Sequence, residues 1–123
     1  MGFQLGNLYV EKGQKTCGFL KLPFTEDELP VTLIYGREEG PTVWVDGGIH
    51  NAEYVGIECV TGLAKQLQPE DIEGILIMIH IVNVNGFQAR TVSVSAEDGK
   101  NLNRVFPGNE NGTYTDKLAY FME

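Results

Sequence analysis

Two clusters of side chains in this 123-residue chain have types and spacings suited to chemistry. The first is Asp46-Gly47-Gly48-Ile49-His50-Asn51-Ala52-Glu53. His50 and Glu53 lie three positions apart, which on a helical turn brings an imidazole nitrogen and a carboxylate oxygen to one side, as zinc requires of two of its ligands. The same residues have a plainer use, with Glu53 favouring the positive end of a following helix and His50 simply occupying a loop. The second cluster is Asp98-Gly99-Lys100-Asn101-Leu102-Asn103-Arg104-Val105-Phe106-Pro107-Gly108. Asn103 beside Arg104 sets amide donors next to a planar guanidinium fork, the chemistry that grips a carboxylate through two parallel bonds. Pairing of Arg104 with a surface carboxylate, and a turn role for Asn101, are equally compatible with the sequence.

Such clusters need elements to aim them. Up to about residue 46, short β-type runs at 8–11, 16–22, 31–35 and 42–45 are separated by turn signals, the last run ending at Asp46-Gly47-Gly48. From Glu53 to Leu67 the apolar residues Val55, Ile57, Val60, Leu63, Ala64 and Leu67 fall three or four apart, one face of a helix that Pro69 ends. Residues 75–82 are a β-branched run suited to a strand covered on both faces, with His80 as a core residue hydrogen-bonded in the sheet. Strand, helix and strand within about 40 residues form a βαβ unit with a parallel pair. The first cluster then sits beyond a strand's carboxyl end, where open α/β sheets bind ligands, and Gly47 and Gly48 permit the tight turn. Residues 83–112 show neither period and read as a long ordered loop, a length usually associated with function. Thr113 or Thr115 can cap a final helix with Leu118, Phe121 and Met122 on its apolar side.

The expected fold is therefore α/β, a mixed or parallel sheet built around one βαβ unit, with N-terminal strands in 1–30 and the motif-bearing core in 31–123. A single covering helix would leave an apolar sheet face open, so a missing C-terminal part or self-association is expected. Seventeen acidic against nine basic residues give a net charge of −8, which disfavours nucleic-acid and anionic membrane partners. No apolar run approaches the roughly 20 residues of a membrane-spanning helix. No leader peptide is visible, so Cys17 and Cys59 read as two reduced, buried thiols and the compartment as cytoplasmic. Trp44 and Phe87 are expected in the core, 26–28 in a solvated acidic loop, and Asp46 as either a partner of His50 or a plain strand-end residue. A phosphate-cradling loop at Gly47-Gly48 lacks the G-x-G-x-x-G or P-loop pattern.

The pairing of Gly48-Ile49-His50-Asn51-Ala52-Glu53 with Asn101-Leu102-Asn103-Arg104-Val105-Phe106-Pro107-Gly108, some 50 residues on, resembles the succinylglutamate desuccinylase/aspartoacylase family of zinc hydrolases, relatives of the zinc carboxypeptidases. Residues 83–91, between them, are similar to the family's segment leading to a substrate-facing arginine. The resemblance implies a zinc-carboxypeptidase-like fold and a mononuclear zinc site held by His50, Glu53 and a later histidine. It also implies that Asn103 and Arg104 hold the carboxylate of a small anionic N-acyl substrate, and that Arg90 polarises the scissile carbonyl. The reaction it implies is hydrolysis of an N-acyl amide such as an N-acyl amino acid. The family's third ligand and its general-base glutamate fall beyond residue 123, which makes a non-catalytic carboxylate-binding module the alternative. Where the family usually has glycine after the histidine, this chain has Asn51, which tolerates a left-handed turn.

Overall fold

A computed structural model describes all 123 residues. Strands β1 (Gly2–Leu5) and β2 (Leu8–Glu11) form an antiparallel hairpin. Strands β3 (Lys15–Lys21), β4 (Glu28–Tyr35), β5 (Thr42–Asp46) and β6 (Ile75–Ile79) form one mixed sheet in the order β3-β4-β6-β5. β4 pairs antiparallel with both β3 and β6, whereas β5 pairs parallel with β6, Asp46 opposite Ile79. Helix α1 (Tyr54–Gln66) provides the crossover between β5 and β6, so the βαβ unit is present.

The period-two alternation of β4 and β6 divides the sheet into two faces. Val31, Leu33, Tyr35, Ile77 and Ile79 join the larger cluster, which takes in Val10 of β2, Leu102, and Tyr114, Leu118 and Ala119 of helix α3 (Tyr114–Met122). Ile34 and Met78 on the opposite face pack with Val60 and Ala64 of α1. Both faces therefore carry covering elements, because α3 and the β1–β2 hairpin cover the face that the sequence left open. The cover over the α1 face is incomplete: Phe19 on β3 is 60% exposed. The apolar stripe of α1 is likewise narrower than its spacing suggests, since Val55 is 84% exposed while Val60 and Ala64 are buried.

Several smaller expectations are corrected. Cys17 and Cys59 are both exposed and free. Phe87 is 40% exposed and meets Tyr54 edge-on, with ring centroids 6.3 Å apart. Asp27 is not merely solvated, because Tyr114 Oη donates to its carboxylate at 2.6 Å. Residues 83–112 are more regular than expected, holding helix α2 (Val84–Ala89) and a 3-10 turn at Leu102–Arg104.

Side chains fasten the elements together. Lys15 Nζ donates to the carbonyls of Ala64 (2.6 Å) and Leu67 (2.8 Å), binding β3 to the negative end of α1. Asn7, in the β1–β2 turn, donates to Phe19 O and accepts from Lys21 N on the outer edge of β3. Thr113 and Asp116 form a capping box at the start of α3.

Candidate metal and carboxylate site

The turn between β5 and α1 prolongs the parallel pairing past the sheet, with Val82 N donating to Gly47 O and Asn83 N to Gly48 O, both at 2.9 Å. Gly48 has φ +72°, and a Cβ on Gly47 would lie 2.8 Å from Gly56 O in the first turn of α1. Only glycine permits both the left-handed conformation and the close approach of turn to helix. His50 and Glu53 are thereby carried at the mouth of the sheet, beyond the carboxyl end of β5.

Glu53 is the N-cap residue of α1, yet its side chain makes no capping bond. Its carboxylate, 73% exposed, instead faces His50, with Oε2 3.4 Å from Nδ1. The other ring nitrogen, Nε2, lies 2.9 Å from Asn101 Oδ1. That oxygen also accepts the backbone N–H of Asn103 at 3.0 Å, and a backbone N–H can only donate, so the orientation of the Asn101 amide is fixed. Nε2 of His50 is therefore the donor to Asn101, and in the neutral ring that tautomer turns the lone pair of Nδ1 toward the carboxylate. Facing a carboxylate, that lone pair makes a pair of acceptors that a cation could bridge. Two ligands about 2.1 Å from a tetrahedral zinc stand about 3.4 Å apart, so the separation observed suits a metal, while it exceeds the roughly 2.7–2.9 Å of a charge-assisted hydrogen bond.

No group of three or more His, Cys, Asp or Glu side chains is gathered to hold a metal. His80 is not a third ligand. Its ring is held at Nε2 by Thr32 Oγ1 (2.8 Å) and at Nδ1 by Thr61 Oγ1 (3.1 Å), and burial holds its pKa below the ordinary histidine value. β6 ends at Ile79, one residue before it. Asp46 is not the partner of His50 either, because its Oδ2 accepts from Trp44 Nε1 at 2.9 Å.

Asn103 and Arg104 lie in the 3-10 turn, exposed, directly after the residue that orients His50. Leu102, 1% exposed in the main core, anchors this turn. Asp98 fastens the preceding loop to α3, accepting from Thr113 Oγ1 (2.7 Å), Thr115 Oγ1 (2.6 Å) and Thr115 N (2.8 Å). Burial raises the pKa of Asp98, but the Thr115 and Thr113 bonds outweigh it and hold the carboxyl below its ordinary range. Lys100 Nζ donates to Asp116 at 2.5 Å beside it.

Arg90 closes α2 in the left-handed conformation, φ 60°, and is exposed. Neither Arg90 nor Arg104 takes part in an ion pair, so both cations are free to meet an anion. Arg90 is the one non-glycine residue with positive φ, so Asn51 does not supply a left-handed turn. Asn51 is instead 2% exposed and engaged by its side chain with Asn83 and Thr91.

Sequence reasoning thus picked out His50 and Glu53, which the fold brings together, but it missed what Asn101 and Asn51 do. The available signal was the density of asparagines around both clusters, since amides satisfy buried donors and acceptors at once.

A model of the succinylglutamate desuccinylase/aspartoacylase catalytic domain matches residues 39–122. The N-alpha-acetyl-L-2,4-diaminobutyric acid deacetylase of Halomonas elongata is 42% identical over 85% of this chain, which covers 32% of that protein. Among solved structures, a succinylglutamate desuccinylase/aspartoacylase from Rhodobacter sphaeroides superposes with a TM-score of 0.81 at 33% identity, over 91% of this chain and 36% of that one. The product-bound ectoine utilization protein EutE of Ruegeria pomeroyi gives a TM-score of 0.81 at 33% identity, over 94% of this chain and 37% of its own. The chain spans about a third of the length of these relatives.

Proposed function

The chain belongs to the succinylglutamate desuccinylase/aspartoacylase family, and from that premise we propose that it forms the metal-ligating, carboxylate-gripping N-terminal part of a single zinc-dependent deacylase domain. The substrate class is an N-acyl amide of a small carboxylate, such as an N-acyl amino acid. The Halomonas elongata relative, named for removing an acetyl group from an amino acid, supports that class. Two free thiols fit a cytoplasmic setting, where cysteines stay reduced.

The observation that carries this reading is His50 Nδ1 facing Glu53 Oε2 at 3.4 Å while Nε2 is held by Asn101 at 2.9 Å. When bound there, zinc supplies Lewis acidity, making water acidic near neutral pH and stabilising negative charge on a carbonyl oxygen. His50 and Glu53 hold the ion. Asn103 and Arg104 receive the substrate carboxylate, the guanidinium giving two parallel N–H donors to its two oxygens. Arg90, on its left-handed backbone, directs a second cation at the oxygen of the scissile carbonyl, where charge develops. The arginines also draw an anion toward a chain whose overall charge of −8 repels it.

Elemental analysis after dialysis tests the ligand pair. Up to one zinc per chain, weakly held, is expected, and His50→Ala or Glu53→Ala should abolish it. Equal zinc retention in both variants would overturn the assignment.

The gathering of two ligating side chains, with no third, also favours a second reading, a module that binds small carboxylates without turnover. Calorimetry with an N-acyl amino acid separates the two, because the module retains its binding after chelator treatment.

A further inference from the structure

Asn51 lies between the two proposed metal ligands, yet points away from them into the protein, where it is 2% exposed. Its Oδ1 accepts from Asn83 Nδ2 at 3.0 Å and from Thr91 Oγ1 at 3.3 Å, and its Nδ2 donates to the carbonyl of Thr91. Asn83 in turn caps α2, its Oδ1 accepting from Gly86 N at 3.1 Å. Next to this amide the backbone makes a parallel connection, Ala52 N donating to Val92 O at 3.1 Å. Gly86 closes the cluster, since a Cβ there would come within 2.6 Å of Asn83 Nδ2 and of Val94 O. No buried side-chain donor or acceptor is left unmatched. One amide therefore joins the turn carrying His50 and Glu53 to the segment that begins directly after Arg90, across 40 residues of sequence.

We propose that Asn51 is a positioning residue that locks the metal-ligand turn against the Arg90 segment, so that the ion and the arginine keep a fixed relation. This rests on the ligand assignment above for its consequence, though the locking itself is a property of the fold. Without the amide, the part-buried Thr91 carbonyl and the Asn83 amino group lose a partner, and the turn keeps only its backbone ties, Ala52 N to Val92 O and Asn83 N to Gly48 O, which loosens it. A metal site tolerates little of that, because its ligands must be held within about 0.5 Å of the productive geometry.

The test compares the full chain with Asn51→Ala, Asn83→Ala, the double variant and Val10→Ala, a core change in the β1–β2 hairpin. Two quantities are read: zinc affinity by competition with a chromophoric chelator, and hydrogen exchange of the Ala52 amide by NMR. Asn51→Ala is expected to weaken zinc at least tenfold and to speed Ala52 exchange at least tenfold. Asn83→Ala should move both in the same direction, with the double variant falling short of the sum of the two single effects, since one of the bonds removed is shared. Val10→Ala should lower the melting temperature while leaving zinc affinity and the relative protection of Ala52 unchanged. Should Asn51→Ala fail to fold, the comparison of Asn83→Ala with Val10→Ala decides. Unchanged Ala52 exchange in the asparagine variants, or equal loss in Val10→Ala, overturns the proposal. If the unsubstituted chain takes up no zinc, the ligand reading fails and Ala52 exchange alone decides whether Asn51 locks the turn.

Discussion

Asn101 Oδ1 lies 2.9 Å from His50 Nε2 and accepts the Asn103 N–H at 3.0 Å, so one oxygen sets both the imidazole proposed to hold the metal and the start of the turn proposed to grip a carboxylate. Partners of this kind fix a ligand's tautomer and its basicity, and their loss commonly costs about 10–100-fold in metal affinity. Asn101→Ala is expected to weaken zinc by that amount in chelator competition. Asn101→Asp should strengthen it, because a carboxylate makes the imidazole a better donor. Equal affinity in all three proteins would show that the contact is idle.

Arg104 carries no ion pair in the fold, so its removal leaves no buried partner behind. Arg104→Ala should therefore keep the melting temperature within a degree or two while weakening binding of an N-acyl amino acid at least tenfold in calorimetry. Arg104→Lys should recover part of that loss, because a point charge keeps the attraction but not the two-pronged geometry. Binding equal to that of the unsubstituted chain in Arg104→Ala would remove this residue from the site.

Asp98 titrates below the ordinary aspartate range in the folded chain because four bonds to Thr113, Thr115 and Lys100 favour its ionised form. The unfolded chain thus takes up this proton more readily than the folded one. The stabilisation is complete above the unfolded value near pH 4 and disappears as pH falls through the lower folded value. Acid unfolding followed by circular dichroism should show a steeper loss below about pH 4 in the unsubstituted chain than in Asp98→Asn.

His80 has the opposite charge type but the same pH sense. Burial lowers its pKa from 6.5, so the folded chain resists protonating it, and stability is present above that value and declines as pH falls through the lower folded one. His80→Gln retains an amide donor and acceptor for Thr32 and Thr61. It should flatten the dependence of the urea midpoint on pH below about 6.5. An unchanged slope would mean that the ring is equally at ease charged in the fold.

Leu102 links core and site, being 1% exposed between Asn101 and Asn103. Leu102→Ala is expected to cost about 2–5 kcal/mol of stability by denaturant titration, as buried leucines commonly do. Because the turn would lose its anchor, zinc affinity should also fall. A stability loss with zinc binding untouched would mean that the core does not position Asn101.

The parts of the molecule legible in the sequence are those fixed by local periodicity and turn chemistry. The β-type run of 31–35, the spacing of Val60 and Ala64, and the glycines before His50 all foretold what they became. What escaped was set by contacts distant in sequence. The period of α1 could not tell that Val55 would face solvent, because that depends on where the helix lies across the sheet. The run 75–82 continues apolar past Ile79, but the strand stops there because the chain turns to pair with Gly47 and Gly48. His50 and Glu53 could be named from spacing and resemblance, whereas the work of Asn101 depends on a contact with a residue 51 positions away.

The Asn7 side chain on the outer rim of β3 gives the hairpin a protective consequence. A sheet's rim is a row of unpaired peptide groups on which a foreign strand can dock and start aggregation. By occupying Phe19 O and Lys21 N, the Asn7 amide mimics one residue of a neighbouring strand and blocks the docking register beside exposed Phe19, where a sticky aromatic would otherwise invite an intruder.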